Sequence, residues 1–299
     1  MTLTSSHNHT LLLRTTILFV TVLITSSMAW SQQLKKDSLF LHYLLSKDEQ
    51  ADAITLLSQF QERYPASIQQ RLELPYWKGL SYYSLKQLDS ATHYFSKVKT
   101  TSPFYSKTLF LSAISHSYLK QVNKAQALIL AVSNTDSLTQ ATKTFELAGM
   151  ALLQRNIPRF DSLQKQFSTS YYPLQKQQDN FKDYKSIIQQ QARKSPLKAA
   201  LLSAIIPGAG KLYVGGQLGQ GISTFIQNAI LGLQAYEGLR KDGVNSPRFI
   251  IYGGLFSLFY LGNIWGSAIS VSIKRQEFND KMNEQILFDM HIPLRTIFN

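Results

Sequence analysis

Gly210-Lys211, inside "SAIIPGAGKLYVGG" (residues 203–216), is the pair that invites a nucleotide reading. A phosphate loop needs G-x-x-x-x-G-K-[ST], so that successive backbone N–H groups curl around the phosphates and a hydroxyl meets the magnesium. Here Ile205 stands where the first glycine belongs and Leu212 where the hydroxyl belongs. The dinucleotide pattern G-x-G-x-x-G fails as well, because Tyr213 replaces the third glycine after Gly208 and Gly210. The histidines His7, His9, His42, His93, His116 and His291 have no partner at metal-ligand spacing, and no H-E-x-x-H or G-x-S-x-G occurs. Asp48, Glu49 and Asp52 fall at the start of a helical segment, where acids favour the helix dipole. No cysteine is present, which excludes disulfides and thiol chemistry. The sequence therefore predicts no catalytic, metal or cofactor site, and a role other than that of an enzyme.

The elements that position these residues fall into an exported half and a membrane half. Residues 1–31 read as a secretory signal. Arg14 precedes the apolar run "TTILFVTVLI", and a small-x-small site follows at Ala29-Trp30-Ser31. Cleavage near Ser31 and retention as an N-terminal anchor are the two outcomes. The net charge of +13 is spread thinly: residues 32–195 carry 21 Lys/Arg against 12 Asp/Glu, and residues 196–299 carry 9 against 6. With no long basic run, an anionic lipid surface explains the surplus better than nucleic acid.

Residues 37–170 show helical periodicity with an internal repeat. "LKQLDSA" (Leu85–Ala91) and "LKQVNKA" (Leu119–Ala125) lie 34 residues apart. Gly79, Tyr82, Ala91, Phe95 and Pro103 surround the first copy, and Ala113, Ala125 and Ile129 surround the second, with His116 in the tyrosine place. Ala53, Leu57 and Pro65 make a partial unit upstream. A decayed fourth unit carries Gly149 at the small position but Asp161 where alanine belongs. Small residues let paired helices approach, and large ones fill the groove between neighbours. On these residues the segment resembles the tetratricopeptide repeat family. That resemblance implies an all-α array of helical hairpins with a concave face for a protein or peptide. Tyr83, Tyr105 and Tyr118 are candidates for that face, though aromatics at helical spacing also build cores.

Residues 171–196 read as a connecting amphipathic helix, with Phe181, Tyr184 and Ile188 on one stripe, lying either on a membrane surface or in solvent. Residues 197–275 read as a membrane domain. Phe249 to Ile273 is a charge-free run of 25 residues, bracketed by Arg248 and by Lys274-Arg275, and about 20 residues suffice to cross the hydrocarbon. Leu212 to Tyr236 is also charge-free and predicts a second crossing, giving a transmembrane helical hairpin. Asn228 and Asn263 are candidates for an interhelical hydrogen bond, a local cap or a headgroup contact. Ser203, Pro207, Gly208, Gly210, Tyr213, Gly215 and Gly221 before this hairpin resemble small bacterial membrane domains of the TM2-like and DUF5683-like kind. Those domains imply membrane embedding and no established chemistry. In physical terms Pro207 ends a short helix, the glycines permit a tight reversal, and Tyr213 suits the headgroup layer. The tail, residues 276–299, carries Phe278, Met282, Ile286 and Met290 on one stripe without a role.

Together these readings predict a protein-binding scaffold tethered to a bacterial inner membrane, with its repeats in the periplasm. It would serve as an accessory factor in envelope protein assembly or membrane insertion. The alternative is an oligomeric, channel-like or lipid-handling component built on the glycine-rich hairpin. Expected partners are a protein or peptide, membrane lipid and, for the alternative, further copies of the chain, but not nucleic acid.

Overall fold

The computed structural model describes residues 32–134, 136–215 and 217–298, so the expected signal at residues 1–31 lies outside the described residues. Every regular element among them is a helix. The chain divides after Ser133 into two compact units.

The first unit holds α1 (32–46), α2 (Gln50–Arg63), α3 (Ala66–Arg71), α4 (Leu74–Ser84), α5 (Leu88–Phe95), α6 (Tyr105–Tyr118) and α7 (Val122–Leu130). Neighbours in sequence pack as antiparallel hairpins because the turns between them are short and alike. In three turns the second residue past the helix is left-handed: Asp48 (φ 61°), Lys86 (φ 60°) and Lys120 (φ 60°). The following N–H then reaches back five residues, from Glu49 to the Leu44 carbonyl, Gln87 to Tyr82 and Gln121 to His116. This is the Schellman closure, which satisfies carbonyls that a helix end leaves open.

Small residues let the hairpins close. A Cβ on Gly79 would lie 2.5 Å from Phe95 Cδ1, and Ala91, Ala113 and Ala125 are fully buried. Tyr82 stacks on Tyr94 with centroids 5.3 Å apart. Leu41, Leu57, Phe60 and Leu74 belong to one core cluster, and Tyr76, Ala91, Phe95 and Leu111 to the next. Pro103 differs from its expected packing role. It is exposed, in the turn before α6, where a fixed φ shapes the entry to the helix.

The second unit holds α8 (Ser137–Leu153), α9 (Ile157–Gln164), α10 (Tyr172–Ala192), α11 (Pro196–Ile205), α12 (Ala209–Val214), α13 (Leu218–Asp242) and α14 (Pro247–Phe298). The segment of the decayed fourth unit forms a hairpin, α8 with α9. Arg155 is left-handed (φ 57°), and Asn156 N–H closes on the Ala151 carbonyl as in the other three turns. Asp161, in the alanine place, pairs with Lys185 of α10 at 2.6 Å.

Packing bridges two expected boundaries. The amphipathic connecting helix has its apolar stripe covered by protein: α10 buries Leu174, Phe181 and Ile188 in a bundle with α8 and the C-terminal half of α14, and its other faces are exposed. Phe181 stacks on Phe145 with centroids 4.5 Å apart. The tail is likewise not a separate element, because α14 runs 52 residues without a break through residue 275. Met282, Ile286, Met290 and Leu294 are buried. Gly149 makes room for Met290, since a Cβ there would stand 2.6 Å from its sulfur. Asn180 and Tyr184 donate to Asp289 at 2.9 and 2.8 Å, and Arg155 donates to Asn279 at 3.0 Å.

The N-terminal half of α14 is long and apolar enough to cross a membrane, and almost none of that stretch is covered by the rest of the chain. It is the only such helix among the described residues. α13 is long enough but falls short in hydropathy, its apolar residues being interrupted by Gln220, Gln227, Asn228 and Gln234. α13 packs antiparallel on α14, so close that a Cβ on Gly238 would lie 3.1 Å from the Phe249 nitrogen.

Candidate functional site

The motif around Pro207 is a packing knot that joins four helices. α11 stops at Ile205. Ile206 is extended (φ −130°, ψ 111°), the conformation a following proline imposes. Gly208 is left-handed (φ 89°) and meets the Gly221 backbone, where a Cβ would lie 2.1 Å from the Gly221 oxygen. Gly210 fits under α11, where a Cβ would lie 2.1 Å from the Ala199 oxygen and 2.4 Å from Ser203 Oγ.

Ser203 is fully buried and is the hub. Its hydroxyl oxygen accepts the Gly210 N–H at 3.0 Å and pairs with the Ser267 hydroxyl of α14 at 2.7 Å. Tyr260 of α14 donates to the Ala204 carbonyl. A phosphate loop offers free N–H groups and a free ammonium. Here Ser203 takes the Gly210 N–H, and Lys211 Nζ donates to Thr224 Oγ1 at 2.9 Å.

Tyr213, expected in the headgroup layer, is also a packing residue. It packs on Ala199, Val214 and Val271, and its hydroxyl accepts the Ser195 N–H at 3.0 Å. It thereby latches the α10–α11 turn to α12. Beside it Lys194 Nζ donates to the Val214 carbonyl at 2.7 Å, and an Arg275 Nη donates to the Lys194 carbonyl at 2.6 Å. Gly215 is left-handed (φ 88°), with Lys194 Nζ 3.3 Å from where a Cβ would stand. Gly221 admits the Leu212 side chain, whose Cδ2 would lie 2.7 Å from a Cβ there. Asn228 and Asn263 do not bond each other. Asn228 donates to the Thr224 carbonyl of its own helix at 2.9 Å, and Asn263 points at the Ser203 carbonyl, 3.5 Å away. In the sequence Arg275 stands out only as a bracket of the charge-free run, and no motif marks Lys194 or Ser195. Their contacts join residues up to 81 positions apart.

In the first unit a groove of about 630 Å³ lies among α5, α6, α7 and the 96–101 turn. Phe95, Val98, Tyr105 and Leu109 give it an apolar floor, and Lys97 and Lys99 edge it. Thr108 also lines it, with its hydroxyl buried and unpartnered. Lys97 Nζ sits 4.9 Å from the Tyr94 ring centroid, a cation–π distance. His116, also on the wall, is held below its ordinary pKa by burial. Of the three candidate tyrosines, Tyr105 lines this groove; Tyr83 packs against the Tyr76 cluster, and Tyr118 lies exposed at the end of α6.

The chain matches no protein-family model, no curated protein and no solved structure.

Proposed function

We propose that this chain is a membrane-anchored scaffold of a bacterial envelope. Its tetratricopeptide-like hairpins hold a protein or peptide, and α13 with α14 crosses the inner membrane as a hairpin. The observation that carries this reading is α14 itself. One half is charge-free and uncovered, a state stable in hydrocarbon and costly in water. The other half closes a bundle with α8 and α10. An anchor that is also a structural helix ties the α8–α10 bundle directly to the bilayer.

The groove in the first unit supports the binding half of the reading. An apolar floor edged by lysines and hydroxyls suits an extended segment with a few apolar side chains. With a secretory signal ahead of it, this unit would face the periplasm and assist envelope protein assembly or insertion.

The test is site-specific photo-crosslinking in the full-length, membrane-inserted protein. A crosslinker at Tyr105 should give a discrete protein adduct. The same probe at Tyr172, which is 87% exposed in the second unit, should not. Equal yields at both sites would refute the groove as the binding face. Extraction of the chain from membranes by alkaline carbonate would refute the anchor.

A further inference from the structure

We propose that the end of the membrane module where α10, α11 and α14 meet binds anionic phospholipid headgroups. Arg193, Lys194, Lys198 and Arg275 face the phosphates, and the outer side of α11 lies among the acyl chains. This rests on the membrane reading above and adds the lipid class to it.

Charge is the first argument. The sequence has no carboxylate between Asp183 and Glu237, and Arg193, Lys194, Lys198 and Lys211 all fall in that gap. None of these four, nor Arg275, has a carboxylate within ion-pair distance among the described residues. The opposite end of the hairpin is different. Lys241 pairs with Glu237 at 2.6 Å, and Arg248 pairs with Glu237 at 2.7 Å and reaches Asp242 at 3.8 Å. At that end two of the three cations are paired internally; at this end only Lys274 is, with Glu277 at 2.7 Å, and the remaining cations call for an external anion.

Position is the second argument. Arg275 stands two residues past Ile273, where the charge-free run of α14 stops, which is the depth of the headgroup layer. Its guanidinium donates to the Lys194 carbonyl while its Nε is buried with no acceptor. Guanidinium and ammonium groups gathered at that depth match phosphate oxygens in charge and hydrogen bonding.

The third argument is α11. Leu197, Leu201 and Ile205 recur every four residues on one face and are 67%, 56% and 78% exposed, while Ala199 and Ser203 are buried. Ten residues cannot cross a bilayer. An apolar face fringed by lysine and arginine is the pattern of a helix lying in the interface. On α14, against which α11 packs, Ile269 and Ile273 are exposed as well. Apolar exposure on the spanning helix itself as well as on α11 favours lipid over a protein partner.

The experiment measures lipid preference by spin-label resonance on the full-length chain in phosphatidylcholine vesicles containing phosphatidylglycerol. Spin-labelled phosphatidylglycerol should associate more strongly than spin-labelled phosphatidylcholine, and high salt should erase the difference. Lys194 and Arg275 also hold the knot together, so the variant of choice is Arg193→Gln/Lys198→Gln. Both side chains are exposed and carry no hydrogen bond or ion pair among the described residues. The preference should fall about fivefold for each cation removed, with an unchanged melting temperature. Arg240→Gln/Lys241→Gln, at the other end, should leave it intact. Equal association of both lipids with an inserted wild-type chain would overturn the proposal and spare the membrane reading. So would a preference unchanged in Arg193→Gln/Lys198→Gln, or one lost in the loop-end pair. Failure to insert into any vesicle would overturn both.

Discussion

Gly210 and Gly254 look alike in sequence, each a glycine in an apolar stretch, yet their surroundings are opposite. A Cβ at 210 would meet the Ala199 backbone oxygen at 2.1 Å and Ser203 Oγ at 2.4 Å. Neither can retreat, because the first is helix backbone and the second already holds Ser267 and the Gly210 N–H. A Cβ at 254 would meet nothing within 4 Å. Gly210→Ala is therefore expected to destabilise the detergent-solubilised protein by about 1–3 kcal/mol, the usual cost of overpacking. Gly254→Ala should stay within about 0.5 kcal/mol of wild type. Melting curves of the two variants decide this, and equal melting temperatures would contradict the knot. The order of Pro207, Gly208, Gly210 and Tyr213 made the site legible as a break in the chain. It did not reveal that Ser203 is the hub, because Ser267 lies 64 residues away and only the return of α14 brings them together.

α8 and α14 are the elements that sequence periodicity described least well. The apolar stripe of the tail is visible in the sequence, but the basic run Lys274-Arg275 brackets the span and so separates the tail from it. A helix passes through such a run without stopping when the charges stay on its outer side, as in the Lys274–Glu277 pair at 2.7 Å. The fourth hairpin was obscured in the same way. Its turn repeats the backbone of the other three, but with Arg155 in the left-handed position and Asp161 in the alanine place. α8 is buried from Ala141 to Leu152 apart from Lys143, and so it encloses Glu146 completely.

Among the described residues both Glu146 carboxyl oxygens lack a hydrogen-bond partner, and desolvation pushes its pKa well above 4.5. Between 4.5 and that raised value the folded chain holds a proton that the unfolded chain has lost. Stability therefore falls as pH rises through that window. Glu146→Gln removes the ionisation and should flatten the slope. The variant should match wild type at pH 4 and melt higher than wild type at pH 8. Thermal melts across that range test it, and an equally steep slope in the variant would rule Glu146 out as the cause.

At the scale of the whole molecule, packing constrains how the chain can meet a bilayer. α10 and the C-terminal half of α14 share one bundle, through Phe181 on Phe145 and Met290 against Gly149. Residues 172–192 and 276–298 must then lie on the same side. If the charge-free half of α14 crosses, the chain between residues 192 and 247 has to cross once in the other direction. Only α13, with 25 residues, is long enough to do so. Its polar groups are partly satisfied before it meets lipid: Thr224 donates to the Gln220 carbonyl and Asn228 to the Thr224 carbonyl. That lowers the cost of carrying them into hydrocarbon.

Topology reporters at 190, 244 and 290 are thus expected to place 190 and 290 together and 244 opposite. A reporter at 244 that shares the side of 190 would mean that neither helix crosses. The absolute orientation pits two forces against each other. The secretory signal expected at residues 1–31 would direct the first unit outward. Arg193, Lys194, Lys198, Lys274 and Arg275 outnumber Arg240, Lys241 and Arg248, and cations near span ends favour the cytoplasmic side. Activity at 190 from a reporter that works only in the cytoplasm would show that the cations prevail. The hairpin would then stand inverted, and the groove would take a cytoplasmic partner.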